Sequence, residues 1–214
     1  MDRRLAPIFS IAWRGAIALL TLQIAIISSL RYFTDSEPAP PPILANAFAH
    51  PFLILHVAGG VTALLLGPLQ FVRRVRTRMP AFHRATGRIY LGACAVAACA
   101  GFILAMGTTA GPIASAGFAT LALLWLAFTY LGWRAAVERR FGNHRQWMLR
   151  SYAMTAAAIT LRLMLPLAGL LGFQFLPAYR AIAWLCWTTN LALVELYLRR
   201  NRLSATSEAK LATA

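Results

Sequence analysis

Two of the four histidines in this 214-residue chain occur in a repeated context that suits ligation of a metal-centred group. His83-Arg84 is followed by Gly87-Arg88-Ile89-Tyr90, and His144-Arg145 by Arg150-Ser151-Tyr152. Both stretches read His-Arg, a spacer of three or four residues, then Arg-x-Tyr where an apolar run begins. Two neutral imidazoles can be the axial ligands of a haem iron, and guanidiniums neutralise haem propionates through paired hydrogen bonds. On that reading His83 and His144 hold the iron while Arg84, Arg88, Arg145 and Arg150 surround the propionates of a haem b. The competing reading is electrostatic and less specific: cations gather where anionic lipid headgroups lie, each contributing about 1 kcal/mol. Adding Glu138 to the two histidines gives a weaker set for a bare metal ion, because such sites usually take a further ligand.

A second group lies deeper in the apolar sequence. Arg162 is twelve residues beyond Arg150, about 18 Å along a helix, too far to reach the same surface. A guanidinium at that depth costs several kcal/mol unless it faces the bundle interior or a polar cavity. His56 falls at a similar depth by the same arithmetic, with Asn190 somewhat nearer the arginine-rich side. Gln23, Thr62, Thr155 and Thr160 would extend the polar track. The group can form a pocket for a small anion, or a network in which Asn190 and carbonyls near Pro166 satisfy Arg162.

These residues sit in a chain that is 59% hydrophobic and 13% charged, with a mean hydropathy of +0.62. An average soluble domain is about half apolar and a quarter charged, so the composition belongs to a membrane protein. A span needs about 20 apolar residues. Six stretches qualify, roughly 7–30, 51–72, 89–107, 114–133, 151–171 and 181–198. The expected fold is therefore all-α, a polytopic six-helix transmembrane bundle. Its parts are a first transmembrane helix within 1–33, a Pro-rich outer linker at 34–49, a five-helix core over 50–200 and a disordered tail at 201–214. The first stretch is too long for a signal-peptide core and lacks a cleavage site, so it reads as a retained helix.

The net charge of +15 would suggest nucleic acid in a soluble chain, but here the cations stand between apolar blocks. Seventeen of the 21 lysines and arginines cluster at 3–4, 73–88, 134–150 and 199–210, whereas the opposite loops keep only Arg31 and Arg180. By the positive-inside rule the crowded side is cytoplasmic. That predicts a bacterial inner membrane protein with both termini in the cytoplasm and anionic lipids against its inner face.

The hairpins 51–107 and 114–171 carry the His-Arg element at corresponding places, which predicts an internal two-helix repeat. His56, Gly60, Ala63 and Gly67 share one helical stripe, the kind that lets helices approach closely in lipid. No nucleophile with a base and orienting group, phosphate-binding glycine loop or paired intramembrane carboxylate is evident, which argues against hydrolase, kinase and carboxylate proton-pump chemistry.

Taken together, His56-x-x-Gly59-Gly60, Gly67-Pro68-x-Gln70-Phe71, His83-Arg84-x-x-Gly87-Arg88-x-Tyr90 and His144-Arg145-x-Trp147-Met148-x-Arg150-Ser151-Tyr152 resemble an uncharacterised family of bacterial predicted membrane proteins, a domain of unknown function. The likeness spans roughly residues 50 to 198 and implies an integral membrane protein without naming an activity. The plan is also similar to six-helix b-type cytochromes. Those carry two haems between four core histidines, whereas this chain has two histidines at helix entries and two on one helix. The sequence thus predicts a membrane redox protein with one bis-histidine haem b, exchanging electrons with quinone or another membrane protein. The alternative is a non-redox binding or transport module for a small anion, lipid or metabolite, with His56, Arg162 and Asn190 as its pocket.

Overall fold

The computed structural model describes residues 45–212 together with Gln23, with side chains through Asn201. The expected first helix and most of the Pro-rich linker lie outside the described residues. Six helices follow in order: α1 Ala49–Phe71, α2 Arg73–Arg78, α3 Pro80–Met106, α4 Pro112–Val137, α5 Phe141–Leu170 and α6 Phe175–Ala212. Five of them, all but α2, are long and apolar enough to cross a membrane. The protein is a polytopic helical bundle.

Local chemistry sets the ends. Pro80 and Pro112 open α3 and α4, where a missing backbone donor costs nothing. Helices α4 and α5 close with the same motif. Arg140 N donates to Ala135 O (2.8 Å) and Arg139 N to Ala136 O (3.0 Å), while Phe173 N donates to Ala168 O and Gly172 N to Gly169 O, both at 3.0 Å. That double bond requires a left-handed residue after the helix. Gly172 supplies it at φ +77°, and Arg139 adopts it at φ +57°.

The helices extend further than the apolar windows suggest. His83 and His144, expected just before their helices, lie inside the first turns of α3 and α5, and the linker before His83 contains α2. Polar and arginine-rich sequence is adequate helix former once it leaves the hydrocarbon. Helix α6 likewise continues to Ala212, into the stretch expected to be a tail, through residues with no Gly or Pro to stop it.

Helices α1, α3, α4 and α5 form a ring in which each packs on the next and α5 returns to α1, while α6 packs on α4 and α5. Small residues make the seams: Ala63, Ala97, Ala114 and Ala183 are completely buried. Many large apolar side chains point outward, as in Ile113, Leu167 and Leu193, which suits a solvent of lipid tails. The closest seam is α1 on α3, where a Cβ on Gly59 would stand 2.7 Å from Ala93 O and 3.0 Å from Ala97 Cβ. Gly60 meets nothing within 4 Å. The working stripe is therefore Gly59, Ala63 and Gly67, at strict four-residue spacing, rather than one through Gly60. Gly67 leaves room for the Tyr152 ring of α5.

At the end away from most arginines, Asn46 Nδ2 donates to Leu104 O (2.8 Å), tying the start of α1 to the end of α3. There too Arg180 of α6 donates from Nε to Ala110 O (2.7 Å), clasping the α3–α4 loop. Gly111, at φ +93°, would place a Cβ 3.2 Å from that guanidinium.

Candidate functional site

The two repeated histidines occupy equivalent positions. His83 is the fourth residue of α3 and His144 the fourth of α5. Each closes its helix's first turn by donating its backbone N–H to the residue before the helix, Met79 O at 3.0 Å and Arg140 O at 2.9 Å. Across the ring the side chains come within electrostatic reach of one another, and the charges of Arg76 and Arg84 also act on His83.

The two imidazoles are held differently. His144 Nδ1 lies 2.8 Å from Gly132 O of α4, a contact that requires Nδ1 to carry the proton and leaves the lone pair on Nε2. Metal-ligating histidines are commonly oriented this way. His83 Nδ1 is buried with no hydrogen-bond partner among the described residues. Its main-chain carbonyl is approached by the Thr86 hydroxyl (3.3 Å), which also accepts from Gln70 Nε2 of α1 (2.8 Å).

The four arginines expected around a haem divide into two pairs. Arg84 and Arg88 are exposed on α3. Arg150 is committed elsewhere, its Nε and Nη2 donating to Glu195 Oε1 and Oε2 at 2.6 and 3.0 Å while its guanidinium lies 4.7 Å over the Trp147 ring. Arg145 turns to Tyr197 Oη of α6 (3.3 Å). Glu138 accepts from Arg134 (2.8 Å) and from Arg140, which hold its carboxyl below the usual carboxylate range. Among the described residues no three His, Cys, Asp or Glu side chains gather for a metal ion.

The deeper group is partly assembled. Arg162 acts electrostatically on His56 and donates to Ala158 O (2.9 Å), one turn back on α5. His56 Nδ1 is 2.8 Å from Ala97 O of α3, and Gly101 gives its ring space. Asn190 uses its amide between helices, accepting from Thr160 Oγ1 (3.0 Å) and donating to Ala153 O (3.3 Å). It links α5 and α6.

Sequence reasoning missed the hydroxyl cluster at the centre. Ser151 Oγ, fully buried, lies 2.7 Å from Thr129 Oγ1 of α4 and 3.0 Å from Tyr90 Oη of α3, and Tyr90 Oη is 3.2 Å from Thr155 Oγ1. Tyr90 and Ser151 are each seven residues beyond their helix's histidine, so equivalent positions of the two hairpins meet across the ring. The signal was present in the arithmetic, but small hydroxyl residues in apolar runs give no sign of which will converge. Ser151→Ala should lower stability by about 1–2 kcal/mol, because Thr129 and Tyr90 lose a buried partner. A denaturant titration in mixed micelles that finds the variant unchanged would show that the cluster does not hold the helices together.

A family model described as "Predicted membrane protein (DUF2306)" matches residues 53–198, which contain every residue of the histidine pair and the hydroxyl cluster. No curated protein and no solved structure matches.

Proposed function

Since the chain belongs to this family of predicted membrane proteins, described by its membrane character alone, we propose an activity from its own residues: one haem b held between His83 and His144. The equivalent placement of those two histidines, each the fourth residue of its helix and within electrostatic range of the other, carries the proposal. These are the two imidazoles that share a sequence context, and they stand on opposite helices of the ring. The Gly132 carbonyl presents His144 with its Nε2 lone pair available, and the unpartnered Nδ1 of His83 marks a ring that protein groups have not fully satisfied. Arg84 and Arg88 are the guanidiniums for propionates. Bound there, the haem would supply a one-electron Fe(III)/Fe(II) couple, and the protein would exchange electrons with a membrane quinone or a protein at the arginine-rich end. By the positive-inside rule that end faces the cytoplasm of a bacterial inner membrane, with both termini on that side.

A pocket for a small anion, lipid or metabolite around Arg162, His56 and Asn190 has less behind it. His56 and Asn190 already spend polar atoms on neighbouring helices.

Visible spectra of the detergent-purified protein from haem-sufficient cells test the haem reading. The expected result is a Soret band and a sharp α band on dithionite reduction, both lost in His83→Ala and in His144→Ala and retained in His56→Ala. A folded, colourless wild-type protein would overturn it.

A further inference from the structure

A groove of about 860 Å³ opens between α2, α5 and α6 at the arginine-rich end. Its polar rim is Arg73 and Arg76 of α2, Arg145 of α5 and the Tyr197 hydroxyl of α6. Its apolar wall is Phe71, Leu149, Leu193 and Val194. Leu193 is 67% exposed, so this wall continues outward into the lipid-facing surface of α6. The proposed haem site uses His83, His144, Arg84 and Arg88, none of which lines this groove, although Arg76 of its rim also acts on His83.

The charge around it is unbalanced. The described side chains include two carboxylates, and both are occupied: Glu138 by Arg134 and Arg140, Glu195 by Arg150. Helix α2 reads Arg-Arg-Val-Arg-Thr-Arg with no acidic residue, and among the described residues Arg145 hydrogen-bonds a neutral phenol and no carboxylate. Three guanidiniums around one hollow repel each other until an anion enters, and their planar forks match phosphate oxygens. A free anion would use the rim and leave the apolar wall without a role. A molecule with a phosphate head and hydrocarbon chains uses both.

We propose that this groove binds an anionic phospholipid, with its phosphate among Arg73, Arg76 and Arg145 and an acyl chain against Leu149, Leu193 and Val194. Basic hollows between helices at a membrane face are suited to such headgroups.

The test is native mass spectrometry of the full chain released from detergent after incubation with phosphatidylglycerol or phosphatidylcholine. Wild type should retain phosphatidylglycerol preferentially, and excess inorganic phosphate should not displace it. Arg73→Gln with Arg76→Gln should weaken phosphatidylglycerol retention roughly thirtyfold, at about 1 kcal/mol per cation and 1.4 kcal/mol per tenfold. Arg74→Gln with Arg78→Gln removes the same charge from the same helix outside the groove and should leave retention near wild type. Equal retention of the two lipids, equal loss in the two double variants, or displacement by phosphate would each overturn the proposal. If the first double variant does not fold, Tyr197→Trp provides a second reading: chain-brominated phosphatidylglycerol should quench its added fluorescence, and brominated phosphatidylcholine should not. Equal quenching by both lipids, or by neither, would also overturn it.

Discussion

Gly59→Val is expected to destabilise the bundle by about 3 kcal/mol, at the upper end of what overpacking usually costs. The first atom its Cβ meets is a main-chain oxygen, Ala93 O at 2.7 Å, and the next is Ala97 Cβ at 3.0 Å. Neither can rotate away. The α1–α3 seam would have to widen along its length, separating Ala63 from its neighbours and lengthening the His56 contact with Ala97 O. Gly60→Val is the matched control, because it adds the same side chain one residue along the helix where nothing lies within 4 Å. Unfolding titrations of both variants in mixed micelles decide the matter. If the two lose equal stability, the seam is not the constraint inferred here.

The second large effect is on the Arg150–Glu195 pair. Its geometry is bidentate, at 2.6 and 3.0 Å, and the side chains are 14% and 35% exposed. Glu195→Ala leaves a mostly covered guanidinium without its anion, which in a fully buried site costs 3–5 kcal/mol. Partial exposure of the carboxylate reduces the expectation to about 2 kcal/mol. Replacing both residues with leucine should recover much of that loss, since exchanging an ion pair for apolar contact is often neutral. Glu138→Ala, at an exposed pair, should make no measurable difference. A thermal series in which Glu195→Ala and Glu138→Ala behave alike would show that the interhelical pair is screened like a surface one.

Those two sites mark what the sequence could and could not reveal. Five apolar stretches became five long helices because hydrocarbon length fixes span length regardless of neighbours. The polar extensions were not visible that way. Residues 80–88 and 141–150 carry too much charge to read as span, yet their helices begin there, and this is what places His83 and His144 in rigid first turns. The repeated His-Arg context pairs the two histidines in sequence, but which helices face each other is a property of the ring order of α1, α3, α4 and α5, which periodicity does not encode. Arginine was legible as a residue type and illegible as a partner: nothing in the sequence distinguishes Arg150, bound to Glu195 forty-five positions away, from Arg84, which is exposed. The small-residue stripe was one position off because Gly59 and Gly60 are adjacent and only the direction of α3 chooses between them.

The Arg180 clasp bears on how the chain is built into a bilayer. The tip it closes, residues 107–113, reads Gly-Thr-Thr-Ala-Gly-Pro-Ile and carries no ionisable side chain. A hairpin crossing tip-first therefore moves only two hydroxyls and a few peptide groups through the apolar layer, while the arginines at its other end resist translocation. The cation that later stabilises this tip is not part of that hairpin. It comes from α6, so the Ala110 carbonyl gains this donor when that helix packs against the tip. The clasp thus couples the tip of one hairpin to the packing of a helix that follows it in the chain.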